Sequence, residues 1–222
     1  VLSDGYLANG AEPWLIPDIA KLPKITIKHP TQPNGPDGRF QPYHRDAKLV
    51  REWAIPGTPG LEHRIGGLEK RDVTGEVCYD AENHDKMCRI RRQKVDKIAD
   101  TIPPLEVNGN PSGELLVIGW GSTYGPITTA VDHCRARGLN VSSAHLRYLD
   151  PMPKNTGEVL KRFKRLVVPE MNLGQLSAHL RASFLVDAIA FTKMQGKPFL
   201  IAEIEAKIEE LLGSNGSNGK KA

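Results

Sequence analysis

The chain has 222 residues, 39% of them apolar and 25% charged, with a formal charge of +4 at pH 7. That length can bury a real core, and so small and well mixed a charge argues against a nucleic-acid partner. No apolar run approaches the ~20 residues that cross a bilayer, and no signal peptide is visible, so no membrane partner is expected and a cytoplasmic location is. Val1 to Asp4 reads as the end of a strand entering a turn, as expected if residues 1–10 finish a domain that starts earlier. Proline then recurs as far as Pro59, removing backbone donors and fixing φ, so residues 11 to about 62 predict an extended arm laid across another surface. Ile25 to Ile27 is its one short strand candidate.

Asp80 predicts a helix start, because its carboxylate can cap free amides. Met87, Ile90, Val95 and Ile98 then repeat at helical spacing up to about Ala99, which makes residues 11–113 an arm plus a helical linker. From Glu114 the pattern becomes regular α/β alternation. Leu115–Trp120 is an apolar run of strand length, as for a strand buried on both faces. A helix follows over Ile127–Arg137 with Gly138 at its end, then a strand over Val141–Leu149. The remaining predictions are a helix over Gly157–Phe163, a strand over Leu166–Val168, a helix over Gly174–Leu185, a strand over Ala188–Phe191 and a helix over Phe199–Leu212. Strand–helix–strand units of this length imply a mainly parallel sheet with helices on both faces over residues 114–212. The polar residues 213–222 predict a disordered tail.

Three cysteines without paired spacing, Cys78, Cys88 and Cys134, argue against a disulfide framework and read as inert thiols. No C-x-x-C occurs, so no metal or cluster motif belongs to this chain by itself. The turn Gly119-Trp-Gly-Ser-Thr-Tyr-Gly125 joins a strand to a helix and is a candidate ligand-facing loop, through Gly119, Gly121, Ser122, Thr123 and Gly125. Glycines let a backbone approach a phosphate, and a helix start presents free amides. It is neither a Walker A motif nor G-x-G-x-x-G, and a tight turn capped by Ser122 or Thr123 is the plainer explanation. In the arm, His44 and Arg45 beside Asp46, and Glu62 beside His63 and Arg64, are candidate contacts to a carboxylate substrate or a partner subunit. The basic run Arg89–Lys94 reads as the solvated face of a helix. Ser122, His145 and Asp150 are present, but no nucleophile–base–orienter set can be named from spacing, so no catalytic residue is assigned.

Five phrases carry a resemblance: Leu2–Asn9, Trp53–His63, Tyr79–Met87, Gly119–Pro126 and Pro169–Gln175. Together and in this order they resemble the α subunit of the 2-oxoacid:ferredoxin oxidoreductases, with the 2-oxoglutarate enzymes as the nearest branch. The resemblance implies that the chain is the C-terminal part of a longer subunit. Residues 1–10 would end the domain that receives the pyrimidine half of thiamine diphosphate, and residues 114–212 would be a transketolase C-terminal-like domain. The implied reaction is oxidative decarboxylation of a 2-oxoacid to an acyl-CoA, with electrons passed to ferredoxin. It also implies a heterotetramer with a β subunit that holds most of the thiamine diphosphate, Mg²⁺ and [4Fe–4S] cluster, leaving none to this chain alone. The residues themselves leave two alternatives open: a nucleotide- or CoA-binding α/β module, and a purely structural subunit-interaction domain.

Overall fold

The computed structural model describes residues 10–11 and 15–213; the expectations for the first strand and for most of the tail fall outside them. Two compact units divide the chain, one spanning Glu12–Thr101 and the other running from Ile102.

The second unit is built on a five-stranded sheet in the order β1-β3-β2-β4-β5. Its strands are β1 (Val107–Asn108), β2 (Gly113–Trp120), β3 (Val141–Leu146), β4 (Phe163–Glu170) and β5 (Ala188–Thr192). β2 to β5 are parallel, with Leu116 in register with Ser142 on one side and Leu166 on the other. β1 adds an antiparallel edge, pairing Val107 with Ala144. Four helices cover the sheet: α2 (Tyr124–Ala136), α3 (Thr156–Lys161), α4 (Gln175–Phe184) and α5 (Ile201–Gly213).

The unbroken apolar run of β2 is explained by burial on both faces. Leu116 and Ile118 join Leu166 and Val168 against Val159 and Leu160 of α3 and Leu176 and Leu180 of α4. Leu115 and Val117 face the other way, with Val167, against Ile127 and Val131 of α2 and Ile204 and Ile208 of α5. Each such side chain contributes roughly 1.5–3 kcal/mol on burial, so neither layer of helices is dispensable. The α/β architecture is the one the alternation predicts. The last predicted strand and helix are displaced by a residue or two, and Phe163 opens β4 instead of closing α3. The edge strand β1 is not visible in the pattern, being two residues long.

The first unit has little regular structure: one long helix, α1 (Ala81–Asp96), which runs into a 3-10 segment over Lys97–Thr101. Asp80 caps α1 as predicted, accepting from the amides of Glu82 and Asn83. Ile25 to Ile27 forms no strand; both isoleucines are exposed and pair with no strand edge among the described residues. Of the four apolar positions predicted along the helix, Met87 alone is buried, and Ile98 is half exposed. Three β-bridges pin the loops instead, Tyr43 to Val73, Arg45 to Arg51 and Lys70 to Val77. Among the described residues no helix is long and apolar enough to cross a membrane.

Candidate functional site

The glycine-rich turn sits where β2 hands over to α2. Gly119 is required by the protein's own packing: a Cβ there would fall 2.5 Å from Ile127 Cδ1 and 2.8 Å from Thr123 Oγ1. Gly121 supplies the left-handed bend, with φ of +56°. Thr123 holds the turn closed, its hydroxyl donating to the Trp120 carbonyl at 2.8 Å and accepting from the Trp120 amide at 3.2 Å. Ser122 points its hydroxyl toward Met171 Sδ, 4.0 Å away, and not toward His145. Gly125 has open space where a side chain would stand. Two of the three glycines therefore serve the fold, and the free surface begins at Tyr124 and Gly125.

That surface opens into a cleft of about 830 Å³ along the sheet edge, lined by Asn108 of β1, Ser143 and His145 of β3, Tyr124 and Thr128 of α2, and Arg147. His145 is its most unusual member. Its ring packs edge-on to Tyr124 at 5.0 Å, and Nδ1 is buried without a hydrogen-bond partner among the described residues. Burial, with Arg147 adding, holds His145 below the ordinary imidazole value, so the ring is neutral at pH 7. A neutral imidazole between an aromatic ring and a guanidinium suits a ligand with both a flat apolar part and an anionic part.

At the neighbouring strand end, sequence reasoning missed Glu170. It is fully buried, and its two oxygens accept from the amides of Leu176 at 2.7 Å and Ser177 at 2.9 Å. A carboxylate there meets the positive end of α4 and satisfies two of its free amides. Asn172 accepts from the amides of Gly174 and Gln175, completing the same helix start. Asn172 two residues before the left-handed Gly174 was the available signal; the contribution of Glu170 comes from six residues away through space.

The arm candidates separate into committed and free groups. Arg45 is committed: its guanidinium lies 2.5 Å from Asp72 and 2.9 Å from the Tyr43 carbonyl, and reaches Met87 Sδ at 3.6 Å. Lys86 completes the pair from the other side, 2.6 Å from Asp72. Burial alone would raise the Asp72 carboxyl, yet Lys86 and Arg45 together hold it below the usual range. Glu62 accepts from the Gly60 amide, and His63 sits against the Leu61 carbonyl at 2.8 Å and edge-on to Phe40. His44 and Arg64 are exposed, and neither side chain has a polar partner among the described residues. The structure does not gather the five into one cluster. Arg45 belongs to an ion-pair network, His63 to a small apolar nucleus with Phe40, and His44 and Arg64 remain available.

Comparison with known proteins adds a frame to these features. Residues 113–204 match the family described as pyruvate:ferredoxin oxidoreductase core domain II. The chain is 53% identical over 209 residues to the 2-oxoglutarate oxidoreductase subunit KorA of Mycobacterium tuberculosis, covering 92% of this chain and 31% of that one. It is 34% identical over 183 residues to the alpha subunit of 2-oxoacid:ferredoxin oxidoreductase 1 of Aeropyrum pernix, covering 79% and 28%. A solved structure, 2-oxoglutarate:ferredoxin oxidoreductase from Magnetococcus marinus with 2-oxoglutarate, coenzyme A and succinyl-CoA bound, matches with a TM-score of 0.74 and 30% identity, over 82% of this chain and 32% of that one. The chain thus spans about a third of the length of these relatives.

Proposed function

We propose, on the premise that this chain is a homologue of the 2-oxoacid:ferredoxin oxidoreductase α subunits, that it works as the C-terminal part of such a subunit. The reaction proposed for the assembled enzyme is oxidative decarboxylation of 2-oxoglutarate to an acyl-CoA, with electrons passed to ferredoxin. The observation that carries this reading is that identity of 53% extends over 92% of the chain, so the irregular arm is matched as well as the regular domain.

Thiamine diphosphate, Mg²⁺ and a [4Fe–4S] cluster would supply the redox chemistry in that enzyme. The described residues do not fit a metal or cluster: no three His, Cys, Asp or Glu side chains among them are placed to hold one. Those groups are proposed to belong to other segments and to a β subunit, and no chemical step is assigned to this chain. Its proposed work is positioning. The sheet unit from Ile102 onward is the supporting domain, and the irregular segment before it wraps a partner surface near the reacting centre.

The exposed guanidinium of Arg64 is the proposed contact to the distal carboxylate of 2-oxoglutarate, with His44 and His63 as further contacts to substrate or partner. Arg45 and Glu62 support the arm from within. In the intact enzyme, Arg64→Ala should lower kcat/KM for 2-oxoglutarate about tenfold or more while sparing pyruvate, because a charge-assisted pair of about 1.5–3 kcal/mol is lost. Equal, small effects on both substrates would end the substrate role. The cleft beside His145 and Arg147 favours a second reading, contact with coenzyme A or another nucleotide. Calorimetry with CoA, ATP and NAD, on the wild type and on Arg147→Ala, would establish or remove it.

A further inference from the structure

On α1 and the loop before it, four side chains meet that play no part in the oxidoreductase reading. His84 and Cys88 stand four residues apart on α1, so helical periodicity stacks them on one face. His84 Nε2 lies 3.7 Å from Cys88 Sγ. The other ring nitrogen, Nδ1, is 2.6 Å from Glu69 Oε2. Arg91 closes the group, with Nη2 3.1 Å from the same sulfur and Nη1 3.4 Å from Glu69 Oε1.

Each contact has a chemical consequence. The His84 hydrogen bond holds the Glu69 carboxyl below the usual carboxylate range, with burial opposing and Arg91 adding to the effect. An anionic Glu69 places the ring proton on Nδ1 and leaves the Nε2 lone pair toward the thiol. Nucleophile, base and orienting carboxylate are thereby in sequence, with a guanidinium beside the sulfur. Cys88 is exposed, while Cys78 and Cys134 are buried. Cys134 has a guanidinium neighbour in Arg137 but no histidine in reach, and burial pushes its thiol up. The three therefore differ in their surroundings, although the sequence reads them alike as inert thiols. Arg91 adds a cationic neighbour 3.1 Å from the sulfur, which favours an anionic reagent, whereas Arg89 is paired with Asp85 and Arg92 with Asp96.

We propose that Cys88 is a thiol–disulfide exchange site, taking a low-molecular-weight disulfide that carries carboxylates. His84 Nε2 accepts the thiol proton as Cys88 Sγ attacks one sulfur of the disulfide. A new S–S bond forms to Cys88, the bond between the two reagent sulfurs breaks, and the departing thiolate takes the proton back from His84. Cys88 is oxidised, one half of the reagent is reduced, and no other oxidant is needed.

Oxidised glutathione is the probe. The full chain is incubated with it at neutral pH, quenched at intervals, and the three cysteine peptides are mapped by mass spectrometry, beside the same chain unfolded in urea. The mixed disulfide should form on Cys88 and not on Cys78 or Cys134, about tenfold faster than on the unfolded chain. His84→Gln and Glu69→Gln should each bring the rate down toward the unfolded value. Arg89→Gln, which removes charge from the helix but touches no member of the group, should leave it within about twofold. A Cys88 rate no greater than in urea would overturn the proposal, as would modification spread evenly over all three cysteines. So would a rate that His84→Gln does not change, or one that Arg89→Gln lowers as much as His84→Gln does.

Discussion

Asp72 is the residue on which the first unit turns. Its side chain is only 16% exposed and sits between Arg45 and Lys86. Its backbone amide donates to Asn83 Oδ1 at 2.9 Å, so the start of α1 is clipped to this loop. Removing the carboxylate leaves a largely buried guanidinium without its partner, and Asp72→Ala should cost about 2–4 kcal/mol, read as a lower urea midpoint. Because the folded-state carboxyl is held below its unfolded value, this contribution is complete above about pH 4 and is lost as pH falls further. His145 moves stability in the same direction, in a higher pH range. Its folded value is depressed, so between that value and the unfolded one near about pH 6.5 the unfolded chain binds the extra proton. Stability should therefore decline as pH drops below about 7, and His145→Gln should flatten part of that decline in urea melts taken across the range.

At the scale of elements, the turn after β2 and the start of α4 depend on single atoms. Gly119→Ala forces a methyl against Ile127 Cδ1 and Thr123 Oγ1, and the threonine cannot yield without releasing the Trp120 backbone. A loss of about 1–3 kcal/mol is expected by thermal unfolding. Glu170→Ala strands the amides of Leu176 and Ser177 in the core and should cost about 2–4 kcal/mol; a measured loss under about 0.5 would show that water replaces the carboxylate. Much at this scale was legible in the chain. Continuous apolar runs announced strands buried on both faces, Asp80 announced a helix start, and Gly138 announced a helix end. Two things were not. Val107 and Asn108 are too few to show a period, and only the free edge of β3 makes them a strand. Phe163 fits either the end of a helix or the start of a strand, and its seat beside Gly113 of β2 decides for the strand.

The whole molecule is uneven in how it is held together. The sheet unit has two apolar layers, whereas from residue 15 to Thr101 the buried apolar side chains are Phe40, Pro42, Ala54, Leu61, Cys78 and Met87. Ile25 is 88% exposed, Trp53 75% and Tyr79 87%. Covering these side chains would remove apolar area from water, which is why the arm is proposed to wrap a partner. Trypsin should cut the isolated chain first at Lys21, Lys24 or Lys28, and assembly with the partner subunit should protect those bonds; equal cleavage in both states would count against the wrapping. The sequence by itself determined the α/β alternation, the helix caps and the irregular arm, because periods of 2 and 3.6 and the chemistry of Asp, Gly and Pro act over a few neighbouring residues. Only the tertiary structure decided that Arg45 pairs with Asp72 while Arg64 has no polar partner among the described residues, that Gly119 serves packing, and that Glu69 reaches the His84–Cys88 face. Those outcomes join residues far apart in the chain, and no local period records which of them will meet.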